Sequence, residues 1–237
     1  MSKKALMTAA PVYGVMGNKG GLGKSAVART LAENLKLSFG SVEIIDADTG
    51  NPDVAKVFGV EIAFNLNKTD GFLDIINQIE STNPETPVVI SFPAGLLERA
   101  FQHGSVFLDT LPDLPKMTNR PFRVVWLVDN KRDVVESLKE FLGYAPGIHV
   151  DVFRNLHFAS PDGFGLFDSS KTRSAIIENG GKVIDFPALA SRVMATITNN
   201  RFTIMQASTE LPLGDRLELM RWWTLVCEAF RAGGYIE

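Results

Sequence analysis

A doubly wound α/β fold, built on a mostly parallel sheet of about six to eight strands with helices on both faces, is what this sequence predicts. Three observations carry that prediction. Strand-like runs rich in β-branched and aromatic residues alternate with helix-period segments along the chain. Several of those runs are almost continuously apolar, as strands must be when both sheet faces are covered. A glycine-rich turn joins the first strand to an alanine-rich helix pattern, and in such sheets ligands gather at the carboxyl ends of strands.

The elements follow in order. Residues 11–16 (PVYGVM) read as the first strand, and a helix is predicted over 25–38, stopped by Gly40. Residues 42–46 (VEIID) form a second strand, and 69–81 (TDGFLDIINQIES) a helix capped near Thr69 or Asp70. Strands are expected over 87–91 (PVVIS), 122–129 (FRVVWLVD) and 148–155 (IHVDVFRN), with helices over 131–142 and 169–179. Residues 182–186 (KVIDF) make the sixth strand, and helices take up most of the remainder. The proline-rich stretches 81–87 and 110–121 read as surface loops. Without a repeat, a low-complexity tract or a long linker, residues 1–237 are expected to form one domain.

Composition narrows the class. A net charge of −3 gives no global positive field, so any nucleic-acid contact needs a local patch such as Arg120, Arg123, Lys131 and Arg132. The lone Cys227 excludes an intramolecular disulfide and fits a reducing cytoplasm. No apolar run is long enough for a membrane span, and the polar start MSKK leads into no long apolar stretch, so no signal peptide is expected. The late segment DRLELMRWWTLVCEAFRAGG balances acids and bases and is apolar nearly all round, which makes a membrane an unlikely partner. An exposed patch of Trp222, Trp223 and Phe230 is the alternative reading. His103, His149 and His157 lack metal-ligand spacing and read as surface or core histidines. The stretch FASPDGFGLF (158–167) holds three phenylalanines among turn residues; it either folds onto its own domain or offers a docking surface.

The chemistry concentrates in GNKGGLGKSAVART (17–30). Binding a polyphosphate takes backbone N–H groups converging on oxygens, a lysine for the β- and γ-phosphates, a hydroxyl for magnesium and a helix N-terminus facing the anion. Gly20, Gly21 and Gly23 supply the bends, Lys24 the charge and Ser25 the hydroxyl, with Ala26 in the small-residue start of the helix. The strict pattern has glycine where this chain has Asn18. A second lysine, Lys19, has no role in that minimal set.

NKGGLGKS resembles the deviant phosphate loop of the MinD/ParA family of P-loop ATPases. The resemblance implies ATP and magnesium as ligands, with Gly20, Gly21, Leu22, Gly23, Lys24, Ser25 and Ala26 around the phosphates. It implies that Lys19 reaches across an ATP-dependent homodimer to the partner's nucleotide, so Lys19 and Lys24 are both expected to be catalytic. Asp48 of the Asp-Ala-Asp at 46–48 matches the family aspartate that positions the attacking water, and Asp46 is expected nearer the magnesium with Ser25. Read alone, the stretch EIIDADTGNPDVAKVFG reads as a turn after the second strand; after this phosphate loop it reads as a switch. Asn155 and Pro187 match the family positions beside the adenine.

The family's third strand usually ends in an aspartate that holds magnesium through water; here Ser91 precedes Phe92, Pro93, Ala94 and Gly95. Serine adds no charge, so weak hydrolysis is expected, or nucleotide binding without meaningful turnover. The run SAVARTLAENL and the compact size are similar to StbB-like and TraL-like proteins of conjugative plasmids. The resulting expectation is a cytoplasmic dimerising switch in plasmid partition, positioning or conjugative transfer. Its candidate partners are a plasmid-encoded protein and nonspecific DNA, the latter implying association with the nucleoid. A recruitment module that binds ATP but hydrolyses it poorly is the alternative.

Overall fold

Apolar runs with no polar face have to be covered on both sides, and here they become the strands of a single layer. The structure is a computed structural model and describes residues 9–60 and 64–237. Its strands are β1 (Val12–Met16), β2 (Glu43–Asp46), β3 (Val88–Ser91), β4 (Phe122–Val128), β5 (His149–Asn155) and β6 (Val183–Phe186). They form one six-stranded sheet in the order β2-β3-β1-β4-β5-β6, and every pairing is parallel. Register puts Ser91 level with Val15 on one side and Asp46 on the other. The loops leaving β1, β2 and β3 therefore start from one end of the sheet. Strand order reverses around β1, so its loop lies at the switch point where such sheets open a crevice.

Helices fill both faces: α1 (Lys24–Phe39), α2 (Asp53–Phe58), α3 (Thr69–Ser81), α4 (Leu96–His103), α5 (Ser105–Thr110), α6 (Leu114–Thr118) and α7 (Arg132–Tyr144). A short 3-10 turn (Pro161–Phe164) leads into α8 (Gly165–Asp168), then α9 (Lys171–Glu178), α10 (Ser191–Asn199), α11 (Ile204–Glu210) and α12 (Leu213–Gly233). α1 packs on the sheet through Val27, Ala28, Leu31, Ala32 and Leu35, all fully buried. Its small residues let the helix approach closely. It ends where Gly40 takes a left-handed conformation and returns its N–H to the Lys36 carbonyl.

The structure corrects several expectations. Residues 110–121 are not a plain loop: α6 forms inside them, with Leu114 buried and Pro115 in the first turn, where a missing N–H costs nothing. The 158–167 stretch offers no three-phenylalanine surface, because Phe164 and Phe167 are buried in its own domain. Each such burial stabilises by about 1.5–3 kcal/mol. The aromatic patch on α12 is absent too. Phe230 and Trp222 lie in the core, Trp223 packs partly against it, and the Trp222 indole N–H donates to the Pro187 carbonyl at 2.8 Å. No helix among the described residues is long and apolar enough to cross a membrane.

The basic patch shrinks as well. Arg120 is buried and donates to the carbonyls of Ala10 and Thr82, both at 3.1 Å, and to that of Thr86. Arg123 pairs with the fully buried Asp151. Both guanidiniums are consumed by the fold, and only Lys131 and Arg132 stay exposed. The Asp151 carboxylate also accepts from the Tyr235 hydroxyl at 2.7 Å, the Lys182 backbone N–H at 2.8 Å and the His149 ring at 3.1 Å. This network ties the chain after α12 to the bottom of the sheet.

Burial by itself raises the Asp151 pKa, but the hydrogen bond from His149, the Arg123 charge and the Tyr235 hydroxyl outweigh it and bring it down to about 2. A folded pKa below the ordinary carboxylate value stabilises above that value and loses the effect as pH falls through the folded one. Asp151→Asn should therefore lower unfolding stability by on the order of 2 kcal/mol at neutral pH. In denaturant titrations the gap to wild type should narrow as pH drops from 4 toward about 2; a gap independent of pH would show that the charge contributes nothing.

Candidate functional site

The glycine turn between β1 and α1 bends where only glycine bends easily. Gly21 and Gly23 adopt φ of 75° and 91°, and a Cβ on Gly23 would lie 2.6 Å from the Asn155 amide nitrogen. Asn155, at the end of β5, donates that amide to the Leu22 carbonyl at 2.8 Å and accepts the His157 N–H at 3.0 Å. The sequence expectation put Asn155 beside a base; the structure also gives it the work of holding the loop. Leu22 itself is buried, so its side chain is an anchor and only its backbone faces the loop.

Lys24 opens α1 and is buried, with its ammonium donating to the Lys19 carbonyl at 2.7 Å. Burial pushes its pKa down to about 8; the Asp48 carboxylate opposes this and the Arg99 guanidinium adds to it. Lys19 points elsewhere. Its ammonium lies 3.0 Å from Asp133 and 3.5 Å from Asp129, and the hydrogen bond to Asp133 raises its pKa. The two lysines thus share a backbone carbonyl but occupy different surroundings.

Asn18 explains its own departure from the glycine pattern. Its carbonyl accepts the Gly95 N–H at 2.7 Å, its side-chain oxygen accepts the Leu97 N–H at 3.2 Å, and its amide donates to Glu98 at 3.2 Å. A glycine keeps only the first of these. Asn18 straps the phosphate loop to the start of α4 and caps a helix N-terminus that has no cap of its own.

On the acidic side, Asp46 is buried and its oxygens accept three backbone N–H groups, from Asp48 at 3.1 Å and from Val54 and Ala55 at 3.0 Å. Burial raises its pKa against those bonds. Asp46 thus caps α2, which limits the share it can take in a magnesium shell beside Ser25. Asp48 gives one oxygen to the Asn51 N–H at 3.1 Å and lines a cavity of about 130 Å³ with Pro93 and Arg99. Ser91 is buried in the strand, adding no charge there. The described residues contain no cluster of three or more His, Cys, Asp or Glu side chains placed to hold a metal. Magnesium at a phosphate loop needs none, since phosphate oxygens, waters and one hydroxyl supply most of its ligands.

A second cavity, about 350 Å³, opens beside the loop and is lined by Gly21, Gly23, Ala26, Asn155 and Pro187. The structure brings together these five residues, which sequence had placed at separate ends of the chain. His157, read as a surface or core histidine, and Phe158, read as the start of a loop that folds back or docks a partner, line the same cavity. Their rings meet edge to face at 5.3 Å, giving the cavity an aromatic wall. The signal for both was their position directly after a strand-end asparagine. Asp129 had a similar signal, as the residue that follows β4; Asp133, Arg99 and the Asn18 strap had none.

Comparison with known proteins places this geometry. A family profile described as ParA, NUBPL iron-transfer P-loop NTPase, matches residues 9–81. The chain is 36% identical over 214 residues to Protein MobD of Acidithiobacillus ferrooxidans, covering 89% of this chain and 92% of that protein. The fold is shared with the septum site-determining protein MinD of Pyrococcus horikoshii complexed with Mg-ADP, at TM-score 0.58 and 13% identity, covering 96% and 99% of the two chains. It is also shared with the MinC:MinD cell division complex of Aquifex aeolicus, at TM-score 0.53 and 14% identity, covering 90% and 94%.

A lysine whose folded pKa is lowered carries its charge below that value and loses it above. Affinity for a nucleoside phosphate should therefore hold from about pH 7 and fall as pH rises through about 8. In fluorescence titrations of nucleotide against pH, Lys24→Ala should bind weakly with a flat profile. A wild-type profile as flat as the variant's would remove Lys24 from the phosphate site.

Proposed function

The chain belongs to the ParA/MinD family of P-loop NTPases, and on that premise we propose that it is an ATP-controlled switch whose two copies close face to face over bound nucleotide. The observation that carries the reading is the separation of the lysines. Lys24 lies buried inside the glycine loop, whereas the Lys19 ammonium is turned out toward Asp129 and Asp133. A cation held at the rim is suited to a ligand that arrives with a second copy.

In this reading Lys24 neutralises the β- and γ-phosphates from within the loop. Ser25 presents its hydroxyl to magnesium, which when bound would offset charge on the phosphate oxygens. Asp46 holds α2 in place beside it. Asp48, with one oxygen committed to Asn51, keeps the other for orienting a water. That water attacks the γ-phosphorus, the bond to the β–γ bridging oxygen breaks, and ADP and inorganic phosphate result. The aromatic-walled cavity with Asn155 and Pro187 receives the base. For Lys19 to act in trans, Asp129 and Asp133 must release it, so closure exchanges an internal ion pair for one with the partner's nucleotide.

Plasmid partition, positioning or conjugative transfer is the process proposed, resting on the likeness of SAVARTLAENL to StbB-like and TraL-like proteins. A plasmid-encoded partner protein belongs to that proposal; DNA contact would fall to Lys131 and Arg132. One observation favours a second reading, a recruitment module that binds ATP but hydrolyses it poorly. Ser91 stands in for an acidic magnesium partner, and Asp46 is occupied as a cap.

Phosphate release separates the two. The switch reading expects slow wild-type turnover, reduced at least about tenfold in Lys24→Ala and Asp48→Ala; wild-type release equal to that of Lys24→Ala under every condition would leave only the recruitment module. Light scattering with ATP should show a doubling of mass that Lys19→Ala abolishes. A mass unchanged by ATP would defeat the trans role of Lys19.

A further inference from the structure

Arg99 is a charged group at the phosphate end of the sheet to which the proposed reaction gives no part. It lies in the first turn of α4, after the left-handed Gly95 (φ 64°). Its side chain folds back toward the strand ends, donating to the Ala94 carbonyl and, at 3.0 Å, to the Asn67 side-chain oxygen. Ala94 faces the phosphate loop directly: a Cβ built on Gly20 would lie 4.0 Å from the Ala94 Cβ. The guanidinium also lines the cavity of about 130 Å³ that holds Asp48. Among the described residues no carboxylate lies within ion-pair distance of it.

We infer that Arg99 reads the terminal phosphate in cis, so that this chain distinguishes a nucleoside triphosphate from a diphosphate within a single subunit. The inference rests on the phosphate-loop reading and deepens it. Arg99 approaches the phosphate loop from α4 while Lys24 sits buried inside that loop, and two like charges repel until an anion enters between them. Lys24 registers that repulsion, since the Arg99 charge helps hold its pKa down. Ser91 adds no negative charge, which leaves the Asp48 carboxylate set against Lys24 and Arg99. The planar fork of arginine suits phosphate oxygens, and Ala94 and Asn67 already hold it there.

Titration of the full chain with ADP and with a nonhydrolysable ATP analogue, both with magnesium, tests this. Arg99→Ala should weaken the analogue by about 10- to 100-fold while leaving ADP within about twofold, because ADP has no phosphate for Arg99 to meet. Arg99→Lys should fall between, keeping the charge without the fork. Retained ADP affinity also certifies that the variant is folded. Equal losses for both nucleotides, or no loss for either, would overturn the role of Arg99 and leave the phosphate loop standing. A wild type that takes neither nucleotide would instead overturn the phosphate loop, and this inference with it.

Discussion

A buried ammonium with a single backbone carbonyl for company is the constraint around which this site is organised. Among the described residues, Lys24 donates to the carbonyl of Lys19 and to no carboxylate. Burying a cation in that way is unfavourable, and the lowered Lys24 pKa expresses the cost. An anion beside the ammonium would offset that cost, so the loop is electrostatically suited to one. The same bond orients the loop. By engaging the Lys19 carbonyl from inside, Lys24 accompanies an arrangement in which the Lys19 side chain emerges on the other side, within reach of Asp129 and Asp133.

Holding that arrangement takes supports from three directions. Asn155 reaches from β5 to the Leu22 carbonyl, Asn18 reaches to the start of α4, and α1 packs its small residues against the sheet. The Asn18 contacts are mechanically the most informative. The segment after β3 is tied to the phosphate loop by the Gly95 N–H, which donates to the Asn18 carbonyl. A shift in one is thus transmitted to the other through hydrogen bonds and not only through packing. Pro187 is braced from behind by Trp222 of α12, so the last long helix also shapes the cavity of about 350 Å³ that Pro187 lines.

Charge is distributed differently on the acidic side than the motif alone implies. Asp46 serves the N-terminus of α2, Asp48 is left to face the cavity, and Ser91 is neutral. Arg99 brings a positive group to the same space. With Asp46 used as a cap, Ser91 neutral and Arg99 present, this side of the loop carries less negative charge than the motif alone implies.

Much of the fold was legible along the chain. Alternating apolar strands and helical segments follow from local periodicity, which is why the observed strands match those expected to within a residue or so at their ends, and why Gly40 could be read as a helix stop. The loop GNKGGLGKS was legible for the same reason, since its function depends on neighbouring residues in one turn. What the sequence could not decide is which charged side chains are neutralised and which remain free. Arg120 and Arg123 look like a basic surface until distant carbonyls and Asp151 claim them. Phe164 and Phe167 look exposed until the domain covers them, and Lys19 meets a partner 114 residues away in Asp133. The sequence by itself determined the sheet, the glycine loop and the identity of its lysines, because each depends on short-range pattern. Only the tertiary structure decided the pairing of charges and the use of Asn18, Asp46 and Arg99, because those depend on residues that meet through folding alone.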